Sequence, residues 1–215
     1  MTASSTHFTI LLGGDAEPTP RLGRQIAGSR VIAADSGMRH AGPLGLVPEL
    51  WTGDFDSVDA VLDAAHPDIA REIFPPAKDM TDGEIAVEAA LARGATSLTL
   101  VGAFGGPRAD HAFLHLALGV RLAERGLSIL LTSGTQEGVP LLEGVRRLDY
   151  LAGTVFSVVA MTDLAGLTLE GVRWPLEKRY VPFGSSLTLS NEVTGDLTVQ
   201  LTSGRAILIA HPSGQ

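Results

Sequence analysis

SLTLVGAFGGPRADHAFLHLALGVRLAERGLSILLT, residues 97–132, contains one complete unit of the strand–helix alternation that organises the first half of the chain. An apolar run, Ser97–Val101, leads into a glycine-rich loop. Apolar residues at helical spacing then extend over Ala112–Arg125, and Gly126 is a helix stop. A second apolar run, Ser128–Thr132, follows. This strand–loop–helix–strand order is typical of a parallel α/β layer.

The same alternation extends from residue 8 to about Leu131. A second helical pattern, Ile85–Arg93, ends before Gly94. Outside residues 97–132 the predicted strands are Phe8–Leu12, Arg30–Ala34, Leu50–Thr52 and Glu72–Phe74. The first half is therefore predicted to be a doubly wound, mostly parallel sheet.

The pattern changes after Thr132. Ser133–Gly138 is typical of a loop, and the remainder is rich in Val, Thr, Leu, Ser and Gly without a convincing helix. The predicted strands are Val145–Leu151, Thr154–Met161, Gly166–Leu169, Ser186–Leu189, Asp196–Leu201 and Ala206–Ala210. We expect an α/β domain at 1–135 followed by an all-β sandwich domain at 136–215.

The composition excludes several classes of protein. The 215 residues include no cysteine, which excludes disulfides, zinc–thiolate sites, iron–sulfur clusters and a cysteine nucleophile, and favours the cytoplasm. The net charge is −8 without a basic cluster, so nucleic acid is not an expected partner. Met1–His7 lacks the features of a signal peptide and no apolar run could span a bilayer, so we expect no membrane association.

Carboxylates follow two predicted strands. Asp54 and Asp56, in Gly53-Asp54-Phe55-Asp56-Ser57, leave the carboxyl end of a strand two residues apart, on one side of extended chain. Asp79 and Asp82 lie three residues apart at the start of a helix. Four carboxylates at one sheet edge would repel each other unless a cation lay among them, and an oxygen-only ligand set suits Mg²⁺.

Each acidic cluster also has a purely structural interpretation. Thr81 with Glu84 fits a capping box, and Asp56 followed by Ser57 could cap a helix beginning near Val58. Asp35, at the end of another strand, is either a helix cap or a group that positions a substrate or contacts the ligands of a metal from outside its coordination shell. Gly13, after the first strand, permits close approach of a phosphate but also fits an ordinary turn.

Phosphate binding is the other chemistry that residues 102–111 suggest. Gly105 and Gly106 precede Arg108, Asp110 and His111 at the start of a helix, where free N–H groups and a fixed cation converge. Alternatively, Asp110 caps this helix, Arg108 is solvated and His111 is structural. The local pattern leaves both interpretations open.

Together these motifs resemble those of thiamine pyrophosphokinases, in the family's order. The resemblance covers about residues 8–210 and rests on six segments: Ala34-Asp35-Ser36-Gly37, 53–57, Lys78–Glu84, 105–111, 171–176 (GVRWPL) and 184–192 (GSSLTLSNE). It implies an α/β domain that binds ATP and Mg²⁺, a carboxyl-terminal β-sandwich, and a homodimer with active sites between subunits.

The resemblance also implies roles for individual residues. Asp54, Asp56, Asp79 and Asp82 would serve the metal and the diphosphate, and Asp35 would lie beside the reacting groups. The residues implied for ATP are Gly13, Lys78, Thr81, Gly105, Gly106, Arg108, Asp110 and His111. Those implied for thiamine are Trp174, Ser190 and Asn191, although Trp174 could instead pack in a core.

The implied reaction transfers a diphosphoryl group from ATP to the hydroxyl of thiamine and releases AMP. Alternatives are a diphosphokinase for another hydroxymethyl heterocycle, such as a pterin, or a non-catalytic thiamine- or nucleotide-binding module. Two residues depart from the family pattern. Ser36 stands where the family usually has glycine, and Pro107 lengthens the Gly-Gly-Arg spacing by one residue.

Overall fold

A computed structural model describes residues 6–55, 60–75 and 79–212. The chain forms two compact units, one of residues 1–115 and 127–134 and the other of residues 116–126 and 135–215. The domain limits expected from the sequence, 1–135 and 136–215, stay a prediction.

The first unit is built on a parallel sheet. Its strands are β1 (His7–Leu11), β2 (Arg30–Ala34), β3 (Leu50–Gly53), β4 (Arg71–Ile73), β5 (Ser97–Val101) and β6 (Ser128–Thr132). Their order in the sheet is β6-β5-β1-β2-β3-β4, and every neighbouring pair is parallel. The prediction of a mostly parallel sheet in the first half is confirmed.

Helices connect these strands. They are α1 (Pro20–Ile26), a 3-10 helix (Asp35–His40), α2 (Ala60–Ala65), α3 (Asp82–Ala92) and α4 (Ala109–Glu124). The central strand β1 is buried without alternation: its Phe8, Thr9, Ile10 and Leu11 are all fully buried. A parallel strand covered on both faces requires such a run, because neither face meets water.

The second unit contains antiparallel strands. They are β7 (Glu137–Leu141), β8 (Gly144–Leu148), β9 (Val155–Ala160), β10 (Leu164–Val172), β11 (Leu176–Val181), β12 (Asn191–Leu201) and β13 (Ala206–His211). β13 lies between β7 and β9. β12 pairs with β9 through its first two residues and with β10 and β8 further along. The sandwich arrangement stays a prediction.

Two predictions for this half were wrong, and two strands, β7 and β11, were missed. Ser186–Leu189 is a turn, in which the Leu189 N–H donates to the Ser186 carbonyl and the Thr188 hydroxyl donates to the Val158 carbonyl. Glu137 and Gly138 begin β7 instead of ending a loop, and β11 was not predicted. Pairing with distant strands outweighs local propensity at these positions.

Candidate active site

The loops after β1 and β5 meet at the carboxyl edge of the parallel sheet. The Gly14 N–H donates to the Gly102 carbonyl at 2.9 Å, and the Asp15 N–H donates to the Phe104 carbonyl at 2.7 Å. Because β1 lies between β5 and β2, the strand order reverses at this position. Open α/β sheets bind ligands at such a reversal.

Glycine is required where these two loops pack. A Cβ on Gly14 would lie 2.4 Å from the carbonyl oxygens of Gly102 and Phe104, which is far inside van der Waals contact. Gly106 has a φ of +77°, and its Cβ would lie 3.2 Å from the Gly14 Cα. The glycines after the two strands therefore serve close backbone approach.

A cavity of ≈ 820 Å³ opens over these loops. The predicted site residues that line it are Gly13, Asp35, Asp54, Asp79, Thr81, Asp82, Gly105, Gly106, Arg108 and His111. The structure thus brings three of the four predicted metal-binding carboxylates and Asp35 to one cavity. Asp56 and Lys78 lie outside the described residues.

Asp35 enters the cavity from strained backbone. Asp35 and Phe55 are non-glycine residues with φ of +44° and +62°, in the left-handed region. The indole Nε1–H of Trp51 donates to the Asp35 carbonyl at 2.8 Å, and the Phe55 ring packs edge-on against that indole with centroids 5.0 Å apart. The interpretation of Asp35 as a cap is wrong, because Ala34 is the N-cap of this 3-10 helix without a side-chain hydrogen bond.

The predicted capping box at the start of α3 is confirmed. The Glu84 N–H donates to the Thr81 hydroxyl at 3.3 Å, and the Thr81 N–H donates to the Glu84 carboxylate at 3.1 Å. Asp82 therefore lies in a fixed first turn of α3, with Asp79 just before it. The cap is structural, and it fixes the turn from which Asp82 lines the cavity.

The donor atoms that face the cavity fit Mg²⁺ in type. Asp35, Asp54, Asp79 and Asp82 offer carboxylate oxygens, the ligands that Mg²⁺ prefers. Within the part of the chain that the structure describes, no three His, Asp or Glu side chains form a group that could hold a metal ion. The described residues therefore supply suitable donors but not an assembled coordination shell.

Arg108 and Asp110 form a bidentate ion pair. The Arg108 Nε–H donates to Asp110 Oδ1 at 3.0 Å and its Nη2–H donates to Oδ2 at 2.6 Å. This pair holds the pKa of Asp110 well below its usual range. Both side chains are more than half exposed, so the pair orients the guanidinium and adds little stability.

Arg39 and His40, which the sequence did not single out, hold the loop after β1. The Arg39 guanidinium donates through Nη2 to the carbonyls of Gly13 and Gly14, and His40 Nε2–H donates to the Gly14 carbonyl at 2.9 Å. Burial lowers the pKa of His40, which favours the neutral ring. No local pattern reveals these contacts, because they join residues 25 or 26 positions apart.

The residues implied for thiamine are adjacent in the second unit. Asn191, which is buried, accepts hydrogen bonds from the N–H groups of Trp174 at 3.2 Å and Glu192 at 2.8 Å, and donates to the Trp174 carbonyl at 2.8 Å. The Trp174 side chain is 54% exposed, so the interpretation that it packs in a core is wrong. Ser190, with a φ of +58°, donates its N–H to the Ser157 hydroxyl at 3.0 Å.

Comparison with known proteins identifies the family. Residues 27–131 match the family model described as thiamin pyrophosphokinase, catalytic domain. Residues 145–208 match the model described as thiamin pyrophosphokinase, vitamin B1 binding domain. The chain belongs to the thiamine pyrophosphokinase family.

Individual thiamine pyrophosphokinases are similar along most of the chain. The protein of this name from Bacillus subtilis (strain 168) is 28% identical over an alignment of 172 residues, and the alignment covers 75% of this chain and 77% of that protein. The crystal structure of thiamine pyrophosphokinase from Bacillus subtilis aligns with a TM-score of 0.81 at 25% identity, covering 96% of this chain and 99% of that one. The crystal structure of thiamin pyrophosphokinase from Geobacillus thermodenitrificans aligns with a TM-score of 0.80 at 28% identity, covering 97% of this chain and 99% of that one.

Every predicted site residue except Gly13 lies within one of the two thiamine pyrophosphokinase matches. The catalytic-domain match contains Asp35, Asp54, Asp79, Asp82 and Arg108. The vitamin B1-binding match contains the thiamine set Trp174, Ser190 and Asn191. Among residues 6–55, 60–75 and 79–212, no helix combines the length and apolar character that crossing a membrane requires.

Proposed function

We propose that this chain transfers the β,γ-diphosphoryl group of ATP to the hydroxyl of thiamine, giving thiamine diphosphate and AMP. The observation that carries the proposal is the match of both thiamine pyrophosphokinase models, catalytic and vitamin B1-binding, in one chain. The vitamin B1-binding match favours thiamine over a pterin alcohol. The acidic residues that line the cavity support an active enzyme over a binding module.

The reaction is an in-line displacement at the β-phosphorus. The thiamine hydroxyl oxygen forms a bond to this phosphorus while the bond to the α,β-bridging oxygen breaks, and AMP leaves with that oxygen. The hydroxyl proton passes to a cavity carboxylate, for which Asp35 is our candidate. Such transfers are accelerated mainly by alignment, which a preorganised cavity supplies, and by neutralisation of the charge on the transferring group.

The acidic residues are proposed to serve the diphosphate through a divalent cation. Asp54, Asp79 and Asp82 would hold Mg²⁺ together with Asp56, and bound Mg²⁺ supplies positive charge to the phosphate oxygens. Asp54 follows β3, Asp79 lies just before α3 and Asp82 in its first turn, and all three line the same cavity, which supports their joint role.

Nucleotide binding is assigned to the glycine loops and the start of α4. Gly13, Gly105 and Gly106 allow backbone approach to phosphates, and Arg108, oriented by Asp110, supplies a cation. The further members of the proposed ATP set are Lys78, Thr81 and His111.

The vitamin is assigned to the second unit. The Arg173 guanidinium lies 4.9 Å from the centroid of the Trp174 ring, so this ring face already attracts a cation in the structure. A thiazolium ring carries the same charge and could occupy such a face. Asn191 fixes the backbone of Trp174, and Ser190 precedes it in the proposed thiamine set.

The family resemblance further supports a homodimer in the cytoplasm, where ATP is available. Light scattering of the purified protein tests the assembly, and a mass of about 45 kDa, twice the chain's 22.5 kDa, is the expected result.

One incubation tests the reaction itself. The protein is mixed with thiamine, ATP and Mg²⁺, and the products are identified by mass spectrometry. We expect thiamine diphosphate and AMP in equal amounts, and neither product when thiamine is replaced by a pterin alcohol. Formation of ADP with thiamine monophosphate, or turnover of the pterin alone, would contradict the proposal.

A further inference from the structure

His115 is a buried histidine in the cavity wall that the mechanism above does not use. It lies on α4, is 7% exposed and lines the cavity together with His111, whose ring packs edge-on against it at 6.4 Å. The family resemblance assigned no role to this position. The role of its side chain can be inferred from the groups that it contacts.

The hydrogen bond of His115 fixes which ring nitrogen carries the proton. Nδ1 lies 3.3 Å from the carbonyl oxygen of Ala103. A carbonyl can only accept, so Nδ1 is the protonated nitrogen and the neutral ring presents a lone pair at Nε2. Burial lowers the pKa of His115 from its ordinary value of 6.5, and nearby His111 adds to this effect, so the neutral form predominates at neutral pH.

The lone pair of Nε2 faces the part of the cavity formed by the start of α3. A Cβ built on Gly83 would lie 3.8 Å from His115 Nε2, and Gly83 itself lines the cavity. A side chain at residue 83 would also meet the Leu12 side chain at 2.9 Å. Because residue 83 is glycine, no side chain at that position covers Nε2.

We propose that His115 Nε2 accepts a hydrogen bond from a donor group of the bound nucleotide, either a ribose hydroxyl or the 6-amino group of adenine. The inference rests on the proposed function, because it takes ATP as the occupant of this cavity. The neutral ring does not donate from Nε2, so in this form its partner is a donor group and not a phosphate oxygen. His115 is thus a specificity-determining residue of the nucleotide site.

The competing explanation is that His115 only supports the loop after β5 through its bond to Ala103. Two substitutions separate these roles. In His115→Asn the side-chain amide can take the place of Nδ1 and still donate to the Ala103 carbonyl, but nothing replaces Nε2. In His115→Gln the amide oxygen can take the place of Nε2, whereas the donor to Ala103 is lost.

The experiment measures kcat/KM for ATP and for three analogues that each lack one donor: 2′-deoxyATP, 3′-deoxyATP and purine riboside triphosphate. We expect the wild-type protein to prefer ATP by about fivefold to tenfold over one of the three analogues, the value of one neutral hydrogen bond. That analogue identifies the donor. In His115→Asn the same ratio should fall to about one, and His115→Gln should restore it at least in part.

Three results would overturn the inference. One is equal kcat/KM of the wild-type protein for ATP and all three analogues, a result that can be obtained without any variant. Another is a His115→Asn variant, folded by circular dichroism, that keeps the wild-type ratio. The third is a folded His115→Gln variant whose ratio is as low as that of His115→Asn, because the amide oxygen would then not replace Nε2.

Failure of the proposed function has a different signature. If the wild-type protein forms no thiamine diphosphate from ATP, the reaction itself is wrong. If it forms thiamine diphosphate but its analogue ratios do not depend on residue 115, only the role of His115 is wrong.

Discussion

Asp82 shows at the scale of one residue how charge and position combine. It lines the cavity from the first turn of α3. The proposed mechanism needs its negative charge to hold Mg²⁺ beside the diphosphate. Asp82→Asn keeps the shape and removes the charge, so kcat should fall by roughly 100-fold or more, about 3 kcal/mol at the barrier. The measurement is steady-state AMP release. The matched control is Asp68→Asn, at an exposed position. If Asp82→Asn is folded and turns over as fast as Asp68→Asn, the proposed role of Asp82 is wrong.

Arg39 is a second single residue with a testable role, because its side chain binds the backbone of a loop at the cavity. Its guanidinium donates to the Gly13 and Gly14 carbonyls and so holds the loop that approaches the nucleotide. Without these bonds the loop should bind ATP less well, and Arg39→Met is expected to raise KM for ATP about threefold to tenfold while KM for thiamine stays unchanged. Initial rates over a series of ATP and thiamine concentrations check this. Exposed Arg24→Met on α1 is the control; an equal rise in both KM values would contradict a local role.

At the scale of an element, the amino terminus of α3 contributes both to the stability of the fold and to the position of Asp82 in the site. The Thr81 hydroxyl accepts the Glu84 N–H, and the helix that this bond caps carries Asp82. Thr81→Ala should lower the free energy of unfolding by about 1 kcal/mol, and Thr81→Ser should preserve it. Urea unfolding followed by circular dichroism measures both. If serine destabilises the protein as much as alanine, the hydroxyl is not the stabilising group.

For the whole molecule, burial of neutral histidines predicts loss of stability in mild acid. Burial is the main cause that lowers the pKa values of His7, His40 and His115 below 6.5 in the folded state. Above pH 6.5 the rings are neutral in the folded and unfolded chains. As the pH falls below 6.5, the unfolded chain binds protons that the folded one does not, so the free energy of unfolding falls.

His40→Gln tests this pH dependence because glutamine can still donate to the Gly14 carbonyl but does not titrate. Urea unfolding at pH 7.5 and pH 5.5 should show a smaller loss of stability in the variant than in the wild-type protein. An identical loss in both proteins would show that burial of His40 does not contribute.

The sequence predicted the elements of the first unit closely because their signals are local. Ser97–Val101 and Ser128–Thr132 are strands within the predicted limits, and the capping box at Thr81 and Glu84 forms as its spacing indicated. The second unit was less predictable. In β11, Leu176–Val181, all residues except the last are partly or fully exposed, so the strand lacks a long apolar signal and is recognised only by its pairing with β10.

The sequence by itself determined the strands of the first unit and where carboxylates and glycines end those strands, because each of these depends on residues a few positions apart. It also determined which family the motifs resemble, because six such local segments occur in the family's order. Only the tertiary structure decided that β1 lies between β5 and β2, that Arg39 and His40 hold the Gly13–Gly14 loop, and that His115 turns Nε2 toward the cavity. These contacts join distant parts of the chain. Packing selects them from many combinations that local spacing allows equally well.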